Sequence, residues 1–282
     1  MPAMQRLQEL VQKTTAYLDE RGIDNARREA EWIFCESLGL QRLELYTRFD
    51  MPVAADEVGR LRGLVQRRGR REPLAYVLGN QPFRQLSLQV GPGVLVPRPE
   101  TEELVERIFA VHPADAARRL LDVGTGSGAI ALACVSERPG WDVHATECSK
   151  AALAIARANG EALDLQVHWH QGHLAEAVTG TWDLLVANLP YIADSERSIC
   201  DPELAHEPAE ALFAADHGLS LIKELISDAP RLLGPEGELW LEHGWQQAQA
   251  IAQHAAAHGL SATGFQDGAG RDRYTCIRRA PA

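Results

Sequence analysis

The strongest constraint on the fold is a regular alternation of strand-like and helix-like segments after residue 98. Short apolar runs predict strands, and stretches such as 128–137 and 150–163 show helical periodicity between them. The predicted strands are 119–123, 142–146, 165–170, 183–187 and 238–241, with 261–265 and 273–277 as two further candidates. Parallel strands need a crossover connection, usually a helix. The alternation therefore predicts an α/β fold with a doubly wound, mostly parallel sheet that helices cover on both faces.

The N-terminal segment has a purely helical pattern. Apolar residues between Leu7 and Leu18 recur at helical spacing, a second helix is expected between Asn25 and Gly39, and a third begins near Asp56. Helices this short are not stable singly, which predicts a small bundle. From residue 73 onward apolar residues alternate and glycines recur, as in a β-hairpin. The expected organisation is a helical bundle over 1–72, a β-hairpin linker over 73–97 and an α/β domain over 98–282.

Composition limits the classes of protein to which the chain can belong. No apolar run reaches the roughly 20 residues that cross a bilayer, and the N-terminus lacks the apolar centre of a signal peptide. The 5 cysteines are odd in number, scattered and without a CxxC pair, which favours reduced thiols over a disulfide framework. We therefore expect a cytoplasmic protein with no membrane partner.

The charge distribution is acidic with one basic exception. The net charge of −11 argues against broad, nonspecific nucleic-acid binding, which needs a basic surface. The exception is a cluster of arginines: Arg60, Arg62, Arg67, Arg68, Arg70 and Arg71. Two interpretations stay open, the solvated face of a helix or a docking surface for an acidic partner or RNA.

A glycine-rich loop follows the first predicted strand of the α/β domain. The loop residues are Gly124, Thr125, Gly126, Ser127 and Gly128. Glycines let the backbone turn sharply and approach a ligand, and this spacing also matches a dinucleotide-binding fingerprint. Asp122, at the tip of the preceding strand, would repel a pyrophosphate but would suit an ammonium group, which S-adenosylmethionine carries. Glu147, at the end of the next strand, suits the ribose hydroxyls of either cofactor.

The segment Asn188-Leu189-Pro190-Tyr191 follows the predicted strand 183–187. The Asn188 side-chain oxygen and the Leu189 carbonyl are two acceptors that can hold the two hydrogens of a planar amino group. Pro190 keeps Leu189 extended, and Tyr191 would pack against the planar group. Such a grip would direct the nitrogen lone pair at a methyl donor. No strong general base is evident, so the released proton would leave through Asn188 or water. The alternative is a strand that ends in a proline turn.

With these motifs in order, the chain resembles the PrmC/HemK family of protein-(glutamine) methyltransferases, which modify peptide-chain release factors. The resemblance rests on the segments PLAYVLG (73–79), VLVPRPETE (94–102), DVGTGSG (122–128), NLPYI (188–192), EP (207–208), AL (211–212) and DHGL (216–219). It implies a class I S-adenosylmethionine-dependent methyltransferase domain, an N-terminal helical domain for substrate recognition and a β-hairpin linker. It also implies methyl transfer to the glutamine amide of a Gly-Gly-Gln motif in release factors.

The resemblance implies roles for individual positions. The expected cofactor contacts are Asp122, Gly124, Thr125, Gly126, Ser127, Gly128, Glu147, His173 and Asn188. The expected glutamine contacts are Asn188, Leu189, Pro190, Tyr191, Arg98 and Glu100, with Asn188, Pro190 and Tyr191 as the catalytic set. No metal centre is expected.

The chain departs from the family pattern at two places. Leu189 stands where the family usually has a first proline; its carbonyl is kept, and the lost rigidity costs about 0.4–1 kcal/mol. Gly172-His173-Leu174 stands where the family commonly has an acid followed by an aromatic residue near the adenine. His173 can accept from the adenine amino group in only one tautomer. This second departure weakens the expected hold on adenine.

Other interpretations stay open at this point. The acceptor can instead be a glutamine of a ribosomal protein or an exocyclic amine of a nucleic-acid base, and a noncatalytic translation-associated adapter would keep the same fold. The histidine run His168, His170 and His173 could suggest a metal site, but no acid or cysteine in that local run completes a ligand set. Glu242, after a further strand, could reach the pocket or lie in a turn.

Overall fold

The computed structural model describes residues 5–114 and 116–280, which form two compact units. The first unit comprises the described residues up to Gly79 together with the short segment Pro202–His206. The second comprises Asn80–Asp201 and Glu207 onward. The boundaries predicted from sequence, after residues 72 and 97, stay predictions.

The first unit is helical, as its apolar spacing predicts. Its elements are α1 (Leu7–Glu20), α2 (Ala26–Leu38), α3 (Arg42–Thr47), α4 (Ala55–Gly69), α5 (Leu74–Leu78) and the antiparallel pair β1 (Gln5–Arg6) and β2 (Pro52–Val53). Leu7, Leu18, Ile33 and Phe34 are almost completely buried in a common apolar core. Neither this bundle nor the second unit contains, among the described residues, a helix long and apolar enough to cross a membrane.

The arginine cluster of α4 and the residues just after it is used largely for internal ion pairs. Arg68 is 4% exposed and lies between Glu29 and Glu203, with 2.9 Å from its Nη2 to Glu203 Oε1. Arg71 contacts the other Glu203 oxygen at 2.8 Å, and Arg67 pairs with Glu72. These arginines therefore hold the segment Pro202–His206 within the first unit and do not form a free basic surface.

The second unit contains the sheet that the alternation predicts. A hairpin, β3 (Asn80–Phe83) and β4 (Leu86–Gln89), precedes it. The sheet strands are β5 (Arg119–Val123), β6 (Asp142–Glu147), β7 (His168–Gln171), β8 (Trp182–Asn188), β11 (Leu233–Glu242), β12 (Leu260–Gln266) and β13 (Asp272–Arg279), and the short pair is β9 (Ile192–Ala193) and β10 (Phe213–Ala214). The sheet order is β12-β13-β11-β8-β5-β6-β7. Only the β13 pairings are antiparallel in this sheet as described.

Helices connect and cover these strands. They are α6 (Pro99–Val111), α7 (Ala129–Glu137), α8 (Lys150–Leu163), α9 (Ala209–Leu212), α10 (Ala215–Gly218), α11 (Ser220–Leu232) and α12 (Ala248–Ala257), with a 3-10 helix at Asp194–Ile199. The chain runs from β5 outward to β6 and β7 and then returns to β8 on the other side of β5. A parallel sheet binds ligands outside the carboxyl ends of the strands at such a reversal of order.

Two predicted strands have the wrong start. The prediction 238–241 covers only the second half of β11, which begins at Leu233 and has a register shift against β8 between Leu233 and Glu238. The prediction 165–170 begins too early, because β7 covers His168–Gln171. Asp164 takes a left-handed conformation with φ of 53°, and the Leu165 N–H donates to the Gly160 carbonyl at 2.9 Å to complete the end of α8. Leu165 and Val167 still pack against the core, although they pair with no strand in the described structure. Their alternating apolar pattern reflects this packing.

Candidate active site

A cavity opens at the carboxyl ends of β5, β6 and β8, all within the second unit. Among the residues that line it are Gly93, Val94, Leu95, Pro97, Thr101, Gly124, Thr125, Gly126, Ser127, Glu147, Ser149, Gly172, His173, Leu174, Asn188, Leu189, Pro190 and Leu221. The fold thus brings together most of the residues predicted from sequence. The predicted residues outside this lining are Arg98, Glu100, Asp122, Gly128 and Tyr191.

The glycine loop between β5 and α7 forms one wall of the cavity. Gly124, Gly126 and Gly128 have φ of 74°, 57° and 85°, in the left-handed region that favours glycine. A Cβ on Gly124 would lie 2.9 Å from Leu189 Cδ2. The glycine is therefore needed both for the turn and for close contact with the segment that follows β8.

Glu147 is the last residue of β6 and is held by backbone donors. Its Oε2 accepts from the Gly126 N–H and its Oε1 from the Ser149 N–H, both at 2.9 Å. The residue is buried yet lines the cavity. A carboxylate has about four lone-pair sites, so these two bonds fix Glu147 and leave capacity for the hydroxyl groups of a ligand.

Asp122 lies beneath the glycine loop, outside the cavity wall. Its Oδ2 accepts from the Thr125 hydroxyl at 2.6 Å and from the Ala131 N–H at 3.2 Å, which ties the loop to the first turn of α7. Burial raises the pKa of Asp122 to about 7, against the opposing hydrogen bonds from Thr125 and Ala131. Asp122 Oδ1 is buried without a hydrogen-bond partner in the described residues. The observed contacts give Asp122 a supporting role, and its predicted contact with an ammonium group stays a prediction.

A chain of hydrogen bonds orients Asn188. Asn188 Nδ2 lies 2.9 Å from Thr101 Oγ1, which lies 2.7 Å from Glu242 Oε2. An amide nitrogen can only donate, so the Thr101 hydroxyl accepts from Asn188 and gives its own hydrogen to Glu242. The amide oxygen of Asn188, a cavity-lining residue, is thereby left as an acceptor.

Glu242 completes this chain from behind the cavity. It is fully buried, and its Oε1 accepts from the Tyr191 hydroxyl at 3.3 Å. Burial raises the pKa of Glu242 to about 7, although the Thr101 hydrogen bond and nearby Arg273 lower it in part. Sequence reasoning left Glu242 between the pocket and a turn and gave Thr101 no role. The signal available for Glu242 was its place directly after an apolar strand.

Tyr191 does not line this cavity. Besides its bond to Glu242, its ring lies 5.8 Å from the Arg273 guanidinium carbon, and its carbonyl accepts from Gln247 Nε2 at 2.9 Å. Tyr191 lines a second cavity together with the exposed side chains of Ile199 and Trp245. Packing of Tyr191 against a planar acceptor group stays a prediction.

The remaining predicted residues either support the segments that line the cavity or line it themselves. Arg98 pairs with buried Glu207, which also accepts from the Val96 N–H at 2.9 Å, so this pair holds the cavity segment 94–97. Glu100 contributes its carbonyl, which accepts from a tyrosine of β13. His173 lines the cavity, and its Nε2 lies 2.9 Å from Glu224 Oε1.

The fold and this site define a class of protein. A mostly parallel seven-stranded sheet with a glycine loop after β5, and an acid at the end of the neighbouring strand β6, is the class I S-adenosylmethionine-dependent methyltransferase fold. A methyltransferase from Pyrococcus furiosus shares this fold, with a TM-score of 0.54 and 20% identity over 69% of this chain and 88% of that one.

Sequence comparison identifies the family within that class. Family models match residues 9–79 as the PrmC N-terminal domain and 101–214 as the methyltransferase small domain. A release factor glutamine methyltransferase of Geobacter sulfurreducens is 38% identical over 94% of this chain and 92% of its own length. One from Xylella fastidiosa is 40% identical over 90% of this chain and 94% of its own. The chain belongs to the release factor glutamine methyltransferase family.

Proposed function

We propose that this enzyme transfers a methyl group from S-adenosylmethionine to the side-chain amide nitrogen of the glutamine in the Gly-Gly-Gln motif of peptide chain release factors. The observation that carries the proposal is the orientation of Asn188, whose amide nitrogen is bound by Thr101 and whose amide oxygen is left as an acceptor at the cavity. The relatives named above support the choice of acceptor.

The cavity suits S-adenosylmethionine in the chemistry of its donors and acceptors. The glycine loop allows close backbone approach, and the fixed Glu147 carboxylate suits ribose hydroxyls. The cofactor, when bound, supplies an electrophilic methyl group. Asp122 holds the loop and carries a buried, unpartnered oxygen, which a further donor would satisfy. Leu174 offers no aromatic face to an adenine, and His173 can accept from the adenine amino group in only one tautomer.

The residues after β8 would position the acceptor amide. The Asn188 side-chain oxygen and the Leu189 carbonyl are the two acceptors for its two N–H groups. Pro190 restricts Leu189 to an extended conformation, and Leu189 is buried. Holding both hydrogens reduces the delocalisation of the nitrogen lone pair into the amide carbonyl. The lone pair is then directed toward the methyl carbon. The nitrogen then loses one proton through the Asn188 oxygen or water, so the product is a neutral methylamide.

The surface beside the active site favours a protein acceptor over a nucleic acid. Ile199 and Trp245 are 80% and 56% exposed beside Tyr191, where apolar side chains suit a peptide. The net charge of −11 opposes a polyanion, and Arg67, Arg68 and Arg71 are engaged in ion pairs. All 5 cysteines are free, which suits the proposed cytoplasmic location.

A labelling experiment tests the acceptor. The full chain is incubated with S-adenosylmethionine labelled in the methyl group and, in parallel, with a release factor, total ribosomal protein or total RNA. We expect label at the glutamine of the release factor. Label in RNA or ribosomal protein alone would identify another acceptor. Absence of saturable cofactor binding would instead indicate the adapter alternative.

The Asn188→Ala variant tests the site. Because it removes one acceptor for the amide hydrogens, we expect turnover to fall by well over about tenfold while cofactor binding is mostly kept. The measurements are kcat with a release factor and a cofactor titration. Gln66→Ala, on the exposed surface of α4, is the control. Unchanged turnover in Asn188→Ala would remove Asn188 from the mechanism.

A further inference from the structure

A second cluster of chemically active side chains lies on β6 and the edge strand β7, outside the methyl-transfer cavity. Asp142 and His144 are two residues apart on β6, as are His168 and His170 on β7, so each pair projects from one face of its strand. The register sets His144 opposite His168. The sequence run His168, His170 and His173 is divided by the fold, since His173 pairs with Glu224.

Three ligand atoms of this cluster converge. His144 Nε2 lies 3.2 Å and His168 Nε2 lies 3.5 Å from Asp142 Oδ1, and all three atoms are within 4.8 Å of one another. A tetrahedral Zn²⁺ site with bonds of about 2.0–2.1 Å separates neighbouring ligand atoms by about 3.4 Å. The two measured separations are close to this value. The rings of His144 and His168 stack with 4.4 Å between their centroids, so these side chains would rotate to direct both Nε2 atoms at one ion.

The surroundings of His144 suit a metal ligand. His144 Nδ1 lies 2.9 Å from His170 Nε2, and its ring packs edge-on against Trp182. If Nδ1 carries the proton and donates to His170, then Nε2 has its lone pair free; metal-bound histidines usually have such a partner.

The cluster of Asp142, His144 and His168 is open to solvent, and one cation lies close to it. Asp142 and His168 have side chains that are 50% and 66% exposed, so an ion has a path from solvent. Arg119 is the one nearby cation in this part of the described structure that contacts Asp142; its Nε is 3.5 Å from Oδ2. It therefore binds the oxygen opposite to the one that faces the histidines, and its guanidinium stacks over Trp182.

We propose that Asp142, His144 and His168 form a binding site for Zn²⁺, with water as the fourth ligand and His170 as the hydrogen-bond partner of His144. Imidazole nitrogens and a carboxylate suit Zn²⁺ better than Mg²⁺ or Ca²⁺, which prefer all-oxygen sets. The ion would join β6 to the edge strand β7. Asp142 and His168 begin these strands, whereas Glu147 ends β6 at the cavity, so we assign the metal a stabilising role and no part in methyl transfer.

Metal titration of the chelator-treated full chain tests the proposal. We expect one equivalent of Zn²⁺ to bind by calorimetry and to raise the thermal unfolding midpoint. Co²⁺ in its place should give the intense visible absorption of a four-coordinate site. His168→Gln and Asp142→Asn, both at exposed positions, should each weaken binding at least about tenfold, and His170→Gln should weaken it less.

The controls separate this site from adventitious binding. His254→Gln removes one member of the other close histidine pair, His254 and His258, and should leave the affinity unchanged. Methyl transfer should persist after metal removal, so failure of the proposed function would not be mistaken for failure of this site. The proposal is overturned if Zn²⁺ does not saturate a single site, or if binding is unchanged in both His168→Gln and Asp142→Asn.

Discussion

At the scale of single residues, Thr101 decides which way the Asn188 amide faces. Valine has nearly the shape of threonine but cannot accept the Asn188 N–H, so Thr101→Val would let the amide turn and would leave Glu242 with Tyr191 as its remaining donor. We expect kcat to fall about 10- to 100-fold with little change in cofactor affinity. Steady-state kinetics with a release factor measure this.

The serine variant is the matched control for Thr101. Thr101→Ser keeps the hydroxyl and removes only a methyl group, so kcat should stay within about threefold of the parent, well inside 1 kcal/mol of activation free energy. If Thr101→Val and Thr101→Ser lower kcat equally, packing rather than orientation explains the effect.

Gly218 lies where no side chain fits. It has φ of 80°, and a Cβ on it would be 2.0 Å from the Tyr191 carbonyl oxygen, which Gln247 also binds. We expect Gly218→Ala to lower the free energy of unfolding by at least about 2 kcal/mol, measured by chemical denaturation. Gly59→Ala on helix α4 is the control, because open space surrounds that position; it should stabilise by about 0.5–1 kcal/mol. Equal effects at both glycines would contradict the clash.

The sequence predicted which strand ends carry the polar residues of the site, but it did not predict for each residue whether the side chain lines the cavity. Glu147 and Asn188 end their strands and line the cavity, as their positions after apolar runs indicate. Asp122 also lies at a strand tip, but β5 is buried on both faces, and alternation does not tell which face receives a carboxylate. Its observed donors, the Thr125 hydroxyl of the loop and the Ala131 N–H of α7, depend on the geometry of the loop and the helix that follows it.

At the scale of elements, periodicity predicted those with a regular apolar pattern. The predicted range 119–123 coincides with β5, whereas the start of β7 was wrong because Leu165 and Val167 pack without pairing. The excursion of Pro202–His206 into the first unit could not be predicted either. It depends on Glu203 meeting Arg68, which lies far away in sequence, and local patterns carry no information about such pairs.

Asn159 of α8 joins the hairpin to the glycine loop. Its side chain exchanges hydrogen bonds with the Gln89 backbone at 2.7 and 3.0 Å and donates to the Ser127 carbonyl at 2.9 Å. Because the residue is 1% exposed, we expect Asn159→Ala to lower the free energy of unfolding by about 1–3 kcal/mol and to weaken cofactor binding. Chemical denaturation and a cofactor titration measure the two effects.

The control for Asn159 is its partner on β4. Gln89 contributes only backbone atoms to these bonds and is exposed, so Gln89→Ala keeps the bonds and should change stability by less than about 0.5 kcal/mol. Equal destabilisation by both variants would show that the side chain of Asn159 does not join these elements.

At the scale of the whole molecule, two buried acids set an unusual pH dependence of stability. Asp122 and Glu242 have folded pKa values of about 7, against ordinary values of 3.8 and 4.5. Between those limits the folded state binds more protons than the unfolded chain, so these two groups make stability fall as pH rises toward 7 and level off above it. Glu238 acts in the opposite sense: its pKa is lowered to about 2, and its contribution is lost only as pH falls below about 4.5.

Neutral amides at the two buried positions test this dependence. Each raised carboxyl contributes a slope of at most about 1.4 kcal/mol per pH unit, so Glu242→Gln and Asp122→Asn should each flatten the fall in the free energy of unfolding between about pH 5 and pH 7. Chemical denaturation at several pH values measures the slopes, and exposed Glu161→Gln on α8 should leave the slope as in the parent. Asp122 holds the glycine loop, and Glu242 holds Thr101 and Tyr191. Ionisation of either acid therefore also affects residues that support the site for the cofactor and the acceptor. A slope that is the same in the parent and in both amide variants would mean that these carboxyls ionise with ordinary pKa values.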